Sequence, residues 1–150
     1  MTSPTTQPSP SAYTPAVDPV VRDAYTVFNT RDWAALATLF SGDAVLTNVA
    51  TGEQFHGPAG VERFMTSWLV AFPDGHIEIE TLAQAGDVAV CEFRGVGTHA
   101  GTFRTPTGDI PATGRGVNVP FCDVVRLRDG KIVSIRTYFD TATFGAQLAG

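Results

Sequence analysis

The sequence predicts an α+β fold, a curved antiparallel sheet packed on three N-terminal helices. Three observations carry this. Apolar stripes of helical period are confined to the first half of the chain. Strand-like segments follow one another from residue 76 onward. The turn Asp129-Gly130 joins the last two of them as a hairpin. Long twisted antiparallel strands bury one face, and the early helices are the available cover. A chain of 150 residues fits one domain, and 43% hydrophobic residues with 10 Phe supply its core.

Residues 1–16 are rich in Ser, Thr and Pro and carry neither Lys nor Arg. They read as a disordered tail rather than a signal peptide, which leaves 17–150 as the domain. Asp18-Pro19 starts the first helix as N-cap and first helical residue, and Val20, Val21, Ala24, Val27 and Phe28 recur at helical spacing. Asp32 caps a short second helix through Leu36, Leu39 and Phe40, and Ser41-Gly42-Asp43 stops it. Ala44 to Val49 reads as a strand. Gly57-Pro58-Ala59-Gly60 leads into a third helix with the stripe Val61, Phe64, Met65, Trp68, Ala71 and Phe72, ended by Pro73-Asp74-Gly75. In such a stripe Met65 and Trp68 read first as core.

Strands are then expected over His76–Leu82, Asp87–Arg104, Gly116–Leu127 and Lys131–Tyr138, with a last helical turn within Thr141–Leu148. The segment Arg104 to Arg115, with two Gly and two Pro, is long for a hairpin connection. It reads either as a lid or binding loop or as a merely mobile one. Its two arginines read as solvated, or as holders of an anionic substituent.

A net charge of −5 and a pI near 5.0 argue against nucleic acid and anionic membrane as partners. No apolar run reaches the length of a membrane span, and a cytoplasmic location is expected. Cys91 and Cys122 form no disulfide framework and read as free thiols. No metal-ligand spacing, P-loop, G-x-G-x-x-G after a strand or G-x-S-x-G occurs, so neither metal nor cofactor is expected.

One acid stands out. In the strand around residues 117–127, period two places Val117, Val119, Phe121, Val125 and Leu127 on one face, with Asp123 among them. Loss of hydration there disfavours the carboxylate. Two readings stand side by side: a catalytic acid or base, and a buried acid satisfied by a hydroxyl or an arginine. On the preceding strand, parity places His99 with Ala89, Cys91 and Phe93 unless Gly95 and Gly97 introduce a bulge. An inward imidazole is an acid or base near pH 7, and the competing reading is a histidine bonded to backbone. Thr137 shares an inward face with Val133, Ile135 and Phe139, while Tyr138 and Asp140 point outward.

Several strings together resemble a known family. Val27-Phe28-Asn29-Thr30-Arg31-Asp32 followed by Leu36, Leu39-Phe40 and Asp43 resembles the opening of the nuclear transport factor 2-like superfamily. Phe72-Pro73-Asp74, Gly97-Thr98-His99-Ala100-Gly101, Pro106-Thr107-Gly108, Thr113-Gly114-Arg115, Asp129-Gly130-Lys131-Ile132 and Gln147-Leu148 resemble its SnoaL-like polyketide cyclase branch. Their joint order, over about residues 18–149, carries the resemblance. It implies a cone-shaped sheet with a deep apolar pocket, usually in a homodimer, and ring closure by intramolecular aldol chemistry without metal or cofactor. Ketosteroid isomerases and limonene-epoxide-type hydrolases share the fold, and other relatives only bind ligands.

Residue by residue, the resemblance transfers unevenly. The cyclases and epoxide hydrolases carry an acid on the final strand, where this chain has Thr137, which takes no proton near neutral pH. The isomerases carry their base on the first strand, where this chain has Asn48. They also place a protonated Asp on the penultimate strand as an oxyanion donor, and that position is Asp123. Face parity and family comparison thus select the same residue. The expected function is acid/base-catalysed cyclisation or isomerisation of a small apolar or polyketide-like substrate. Asp123 exchanges the proton with His99 as partner, Asn48 and Thr137 orient substrate or water, and Trp68, Phe93, Phe121 and Phe139 form apolar walls. The alternatives are a non-catalytic ligand-binding or accessory protein of the same fold and, third, an epoxide-opening enzyme.

Overall fold

The structure, a computed structural model, describes residues 16–150, so the tail reading lies outside the described residues except at Ala16. The Asp18 side chain accepts from the Val20 amide at 3.0 Å, and Pro19 opens α1 (Pro19–Thr30). This helix turns Val20, Val21, Ala24, Tyr25, Val27 and Phe28 inward. Asp32 caps α2 (Trp33–Leu39) by accepting from the Ala35 amide at 3.1 Å. The chain then enters β1 (Phe40–Asn48) directly. Ser41-Gly42-Asp43, read from sequence as a helix stop, lies inside this strand, because Phe40 already pairs with Ile132 of the sheet and the register shifts between Phe40 and Val45. A short β2 (Gln54–His56) leads into α3 (Gly57–Ala71).

From residue 76 the chain is mostly strand: β3 (His76–Ala85), β4 (Val88–Thr98), β5 (Phe103–Thr105), β6 (Gly108–Ile110), β7 (Gly116–Arg128) and β8 (Lys131–Phe139). The main sheet has six strands in the order β2-β1-β8-β7-β4-β3, and β5 pairs with β6 separately. The tight β7–β8 turn sits on Asp129 (φ 52°) and Gly130 (φ 74°), the left-handed pair such a hairpin needs. One pairing departs from the expected antiparallel sheet: β1 runs parallel to β8. Parallel neighbours need a crossover, and the long path through α3 and the β3–β4–β7 run supplies it.

The strand expected to reach Arg104 ends at Thr98. The amides of Ala100 and Gly101 both donate to the Ala71 carbonyl at the end of α3, at 3.0 Å each, which draws the chain off the sheet. A side chain at Gly101 would overlap the Val70 carbonyl, so this docking requires glycine. The expected loop Arg104–Arg115 is therefore an arm built on the β5–β6 hairpin, with Arg104 and Arg115 exposed. The expected last turn is a nine-residue helix, α4 (Thr141–Ala149), capped by Asp140 and clamped to β7 by Gln147, which bonds both backbone groups of Asn118 at 2.8 and 2.9 Å.

Two apolar clusters fill the interior. One is built around Val21, Leu36, Val61 and Val125, the other around Phe72, Val119, Phe144 and Leu148. Phe121 packs against both. No helix among the described residues is long and apolar enough to cross a membrane.

Candidate active site

A cavity of about 90 Å³ lies between α1, α3 and the inner face of the sheet. Its floor follows β7 from Val117 to Asp123, and its roof is Phe64, Met65, Trp68, Leu69 and Phe72. The rim carries Gly75, the exposed His76 and Ile77. One side of that rim is clamped: Asn29 of α1 exchanges two hydrogen bonds with the Ile77 backbone at 2.9 and 2.7 Å, and Arg31 donates to the Gly75 carbonyl at 2.6 Å.

Asp123 stands at the deep end and is 6% exposed. Strand register sets Cys91 on one side of it and Thr137 on the other. Its Oδ2 accepts from the Tyr25 hydroxyl at 2.9 Å. Its Oδ1 is buried and has no hydrogen-bond partner among the described residues. Burial pushes the pKa up to about 6, while the Thr137 and Tyr25 hydroxyls favour the anion and limit the rise. Of these two, only Tyr25 meets full hydrogen-bond geometry. Burial, and then the charge of Asp123, hold Tyr25 well above its ordinary value, so it remains a donor. Burial raises the Cys91 thiol to about 12, which leaves it unreactive.

Asp123, Thr137, Trp68, Phe93 and Phe121 all line this cavity. Three expected site residues do not. His99 does face inward: the β4–β7 register runs unbroken from Val88 to Thr98, so no bulge turns it. It lies beyond the cavity, however, with its ring 5.3 Å from that of Phe72 and no exposed surface. Its Nδ1 accepts from the Thr113 amide at 3.3 Å and sits 3.0 Å from the Thr113 hydroxyl, which ties down the base of the arm. Asn48 is buried outside the cavity lining, where its Oδ1 accepts from the Ala50 amide at 3.2 Å and shapes the β1–β2 turn. The cavity's contribution from β1 is Leu46 instead. Phe139 forms a second row, stacked on Phe121 at 5.1 Å.

Tyr25 is the residue that sequence reasoning missed. It lies one helical turn after Val21 and three residues before Phe28, on the buried stripe of α1. A hydroxyl on that stripe needs a partner in the interior, and that requirement was the available signal. Among the described residues no group of three or more His, Cys, Asp or Glu is placed to hold a metal ion. The site is an apolar slot with a hydrogen-bonded Tyr–Asp pair and one threonine hydroxyl at its end. Such a pair can move a proton to or from a neutral ligand and can hydrogen-bond its carbonyl oxygen.

The model of the SnoaL-like domain matches residues 21–135. The chain belongs to the SnoaL-like family. The match takes in Tyr25 and Asp123. Among curated proteins, none matches the sequence. Solved structures of SnoaL-like type are similar along most of the chain. IdmH of Streptomyces antibioticus, a candidate polyketide cyclase, is 27% identical with a TM-score of 0.73, over 88% of this chain and 97% of its own. A candidate SnoaL-like polyketide cyclase from Jannaschia sp. CCS1 gives a TM-score of 0.77 at 18% identity, over 88% of this chain and 90% of its own. A Catenulispora acidiphila protein of ketosteroid isomerase-like fold, solved with trimethylamine, gives 0.72 at 23% identity, over 91% and 94%. At these identities the last two bear on the fold alone, and they agree with the curved sheet and helices described above.

Proposed function

We propose that this SnoaL-like chain is a small-molecule enzyme that cyclises or isomerises a polyketide-like ketone by proton transfer next to its carbonyl. The observation that carries the reading is the Asp123 carboxyl, with one oxygen held by Tyr25 and the other unengaged in an apolar cavity. A group poised near pH 6 serves in both protonation states around neutrality. As the anion, Asp123 Oδ1 takes a proton from the carbon beside the carbonyl. The Thr137 hydroxyl, which sits beside the Asp123 carboxyl, turns to donate to the enolate oxygen as it forms. For ring closure, the enolate carbon attacks a second carbonyl of the same molecule. The new alkoxide then takes the proton back from Asp123, so the protein ends as it began.

Tyr25 replaces His99 as the partner of Asp123 in this scheme. Its hydrogen bond fixes the carboxyl plane and opposes the rise in pKa caused by burial. Ketosteroid isomerases pair a tyrosine with an aspartic acid in a related apolar setting, which supports the reading by analogy only. Thr137, standing where the cyclases carry an acid, favours a second reading in which the chain binds a ligand without turning it over. Epoxide opening is the third reading and lacks that final-strand acid as well.

The test is a panel of polyketide-like ketones and epoxides with wild-type protein and Asp123→Asn. Turnover of a ketone that the variant loses supports the enzyme. Tight binding with no turnover of any panel member supports the binding protein. For the assembly we propose a homodimer through the outer sheet face, where Val90 and Tyr138 are 36% and 41% exposed beside Cys122 and Val124.

A further inference from the structure

We infer that Gly95 and Phe121 together set the cross-section of the cavity and so select ligands by ring size. The inference concerns the same cavity as the proposed function but not its turnover. Gly95 lies on the inner face of β4, two residues beyond Phe93, and both Gly95 and Phe121 line the cavity. Its φ is not in the left-handed region, so its backbone does not demand glycine. Space does. A Cβ built at position 95 comes within 2.8 Å of Phe121 Cε2 and 3.3 Å of its Cδ2. The phenyl ring thus rests on bare backbone, a use of glycine in strands wherever a neighbour approaches closely.

The surroundings decide where the ring goes if that resting place is filled. Phe93, Phe121 and Phe139 are cross-strand neighbours on β4, β7 and β8. Their rings stack at 5.0 and 5.1 Å, with interplanar angles of 13° and 20°. Phe121 is therefore held on both flanks and by the sheet beneath. The remaining direction is inward, into the cavity that Phe121 and Trp68 both line, where the Trp68 ring meets Phe121 edge to face at 5.7 Å and 79°. The cavity measures about 90 Å³, less than the roughly 300 Å³ at which sites for drug-sized ligands begin. In so narrow a slot, a ring displaced inward by one methyl group removes a large share of the space. Gly95 keeps Phe121 parked against the sheet, and the width this leaves decides whether a second fused ring enters.

The test uses the full chain and two neutral probes, phenol and 2-naphthol, with binding followed by calorimetry. Each probe offers one hydroxyl to the Asp123 carboxyl, and they differ by one fused ring. Wild type binds both. Gly95→Ala weakens 2-naphthol on the order of tenfold or more, the scale of one methyl group in an apolar pocket, and leaves phenol within about threefold. Gly95→Ala/Phe121→Leu restores 2-naphthol to within about threefold of wild type. A purely structural Gly95 lowers the melting temperature and weakens both probes alike, and that result overturns the inference. So does a wild type that binds neither probe, a Gly95→Ala protein that binds 2-naphthol normally, or a double variant without rescue. If Gly95→Ala does not fold, Phe121→Leu alone decides: it shifts preference toward 2-naphthol, and an unchanged preference overturns the inference. None of these readouts involves turnover, so they stand or fall apart from the Asp123→Asn experiment.

Discussion

The Tyr25 hydroxyl on α1 donates a 2.9 Å hydrogen bond to Oδ2 of Asp123 on β7, across 98 positions of chain. This one contact ties the first helix to the centre of the sheet and leaves a single carboxylate oxygen for a ligand. It decides how each substitution at the deep end of the cavity behaves.

Asp123→Asn keeps the shape of the side chain and removes its transferable proton. Turnover falls on the order of 10²-fold or more, the usual scale of an acid–base group, while ligand affinity changes far less. Steady-state kinetics and calorimetry on the same preparation check this. Wild-type turnover by the variant removes Asp123 from the mechanism.

The same substitution changes how stability depends on pH. The folded pKa of Asp123, about 6, lies above the roughly 3.9 of an unfolded aspartate. Between those values the native state holds a proton that the unfolded state lacks, so the contribution of Asp123 is full below about pH 4 and is lost as pH rises through about 6. The two-unit difference corresponds to about 3 kcal/mol. Asp43, Asp74 and Asp140, whose carboxyls hydrogen bonds hold low, act in the opposite sense at acid pH and are common to both proteins. Urea titrations at pH 4 and pH 7 should show the variant gaining on wild type as pH rises. A constant difference contradicts the raised pKa.

Tyr25→Phe removes the hydroxyl that favours the anion, so the Asp123 pKa moves further up, as a carboxyl NMR titration reports. Asp123→Leu alone strands the buried Tyr25 hydroxyl and destabilises by about 1–3 kcal/mol. Tyr25→Phe/Asp123→Leu removes both partners and restores or exceeds wild-type stability at pH 7. A double variant as unstable as Asp123→Leu shows that packing, not polarity, governs this corner.

His99→Ala empties a fully buried position under Phe72 and unties Thr113. The expected cost is about 2–4 kcal/mol of stability, with kcat of the folded protein within about threefold of wild type. A loss of kcat comparable to that of Asp123→Asn, in protein shown to be folded, restores His99 to the mechanism.

Light scattering at micromolar concentration should give twice the chain mass of 15.9 kDa. Val90→Asp or Tyr138→Asp on the outer face should shift that value toward the monomer without altering the cavity. A wild-type monomer removes the dimer and leaves the fold as it is.

Local chemistry determined much of this protein in advance. Asp18, Asp32 and Asp129-Gly130 mark helix starts and a hairpin because capping and left-handed turns depend on adjacent residues. The period of β7 placed Asp123 inside, because alternation along a strand needs no partner to be read. Tertiary structure decided the rest. Parity turned His99 inward and the family resemblance put Asn48 at the site, but neither told how far the cavity extends, and both residues lie outside its lining. The parallel β1–β8 pairing and the docking of Gly101 on α3 join segments far apart in sequence. Tyr25 was legible as a buried position and illegible as the partner of Asp123. A helix stripe records which side faces the core, and only the packing of that helix on the sheet records what it meets there.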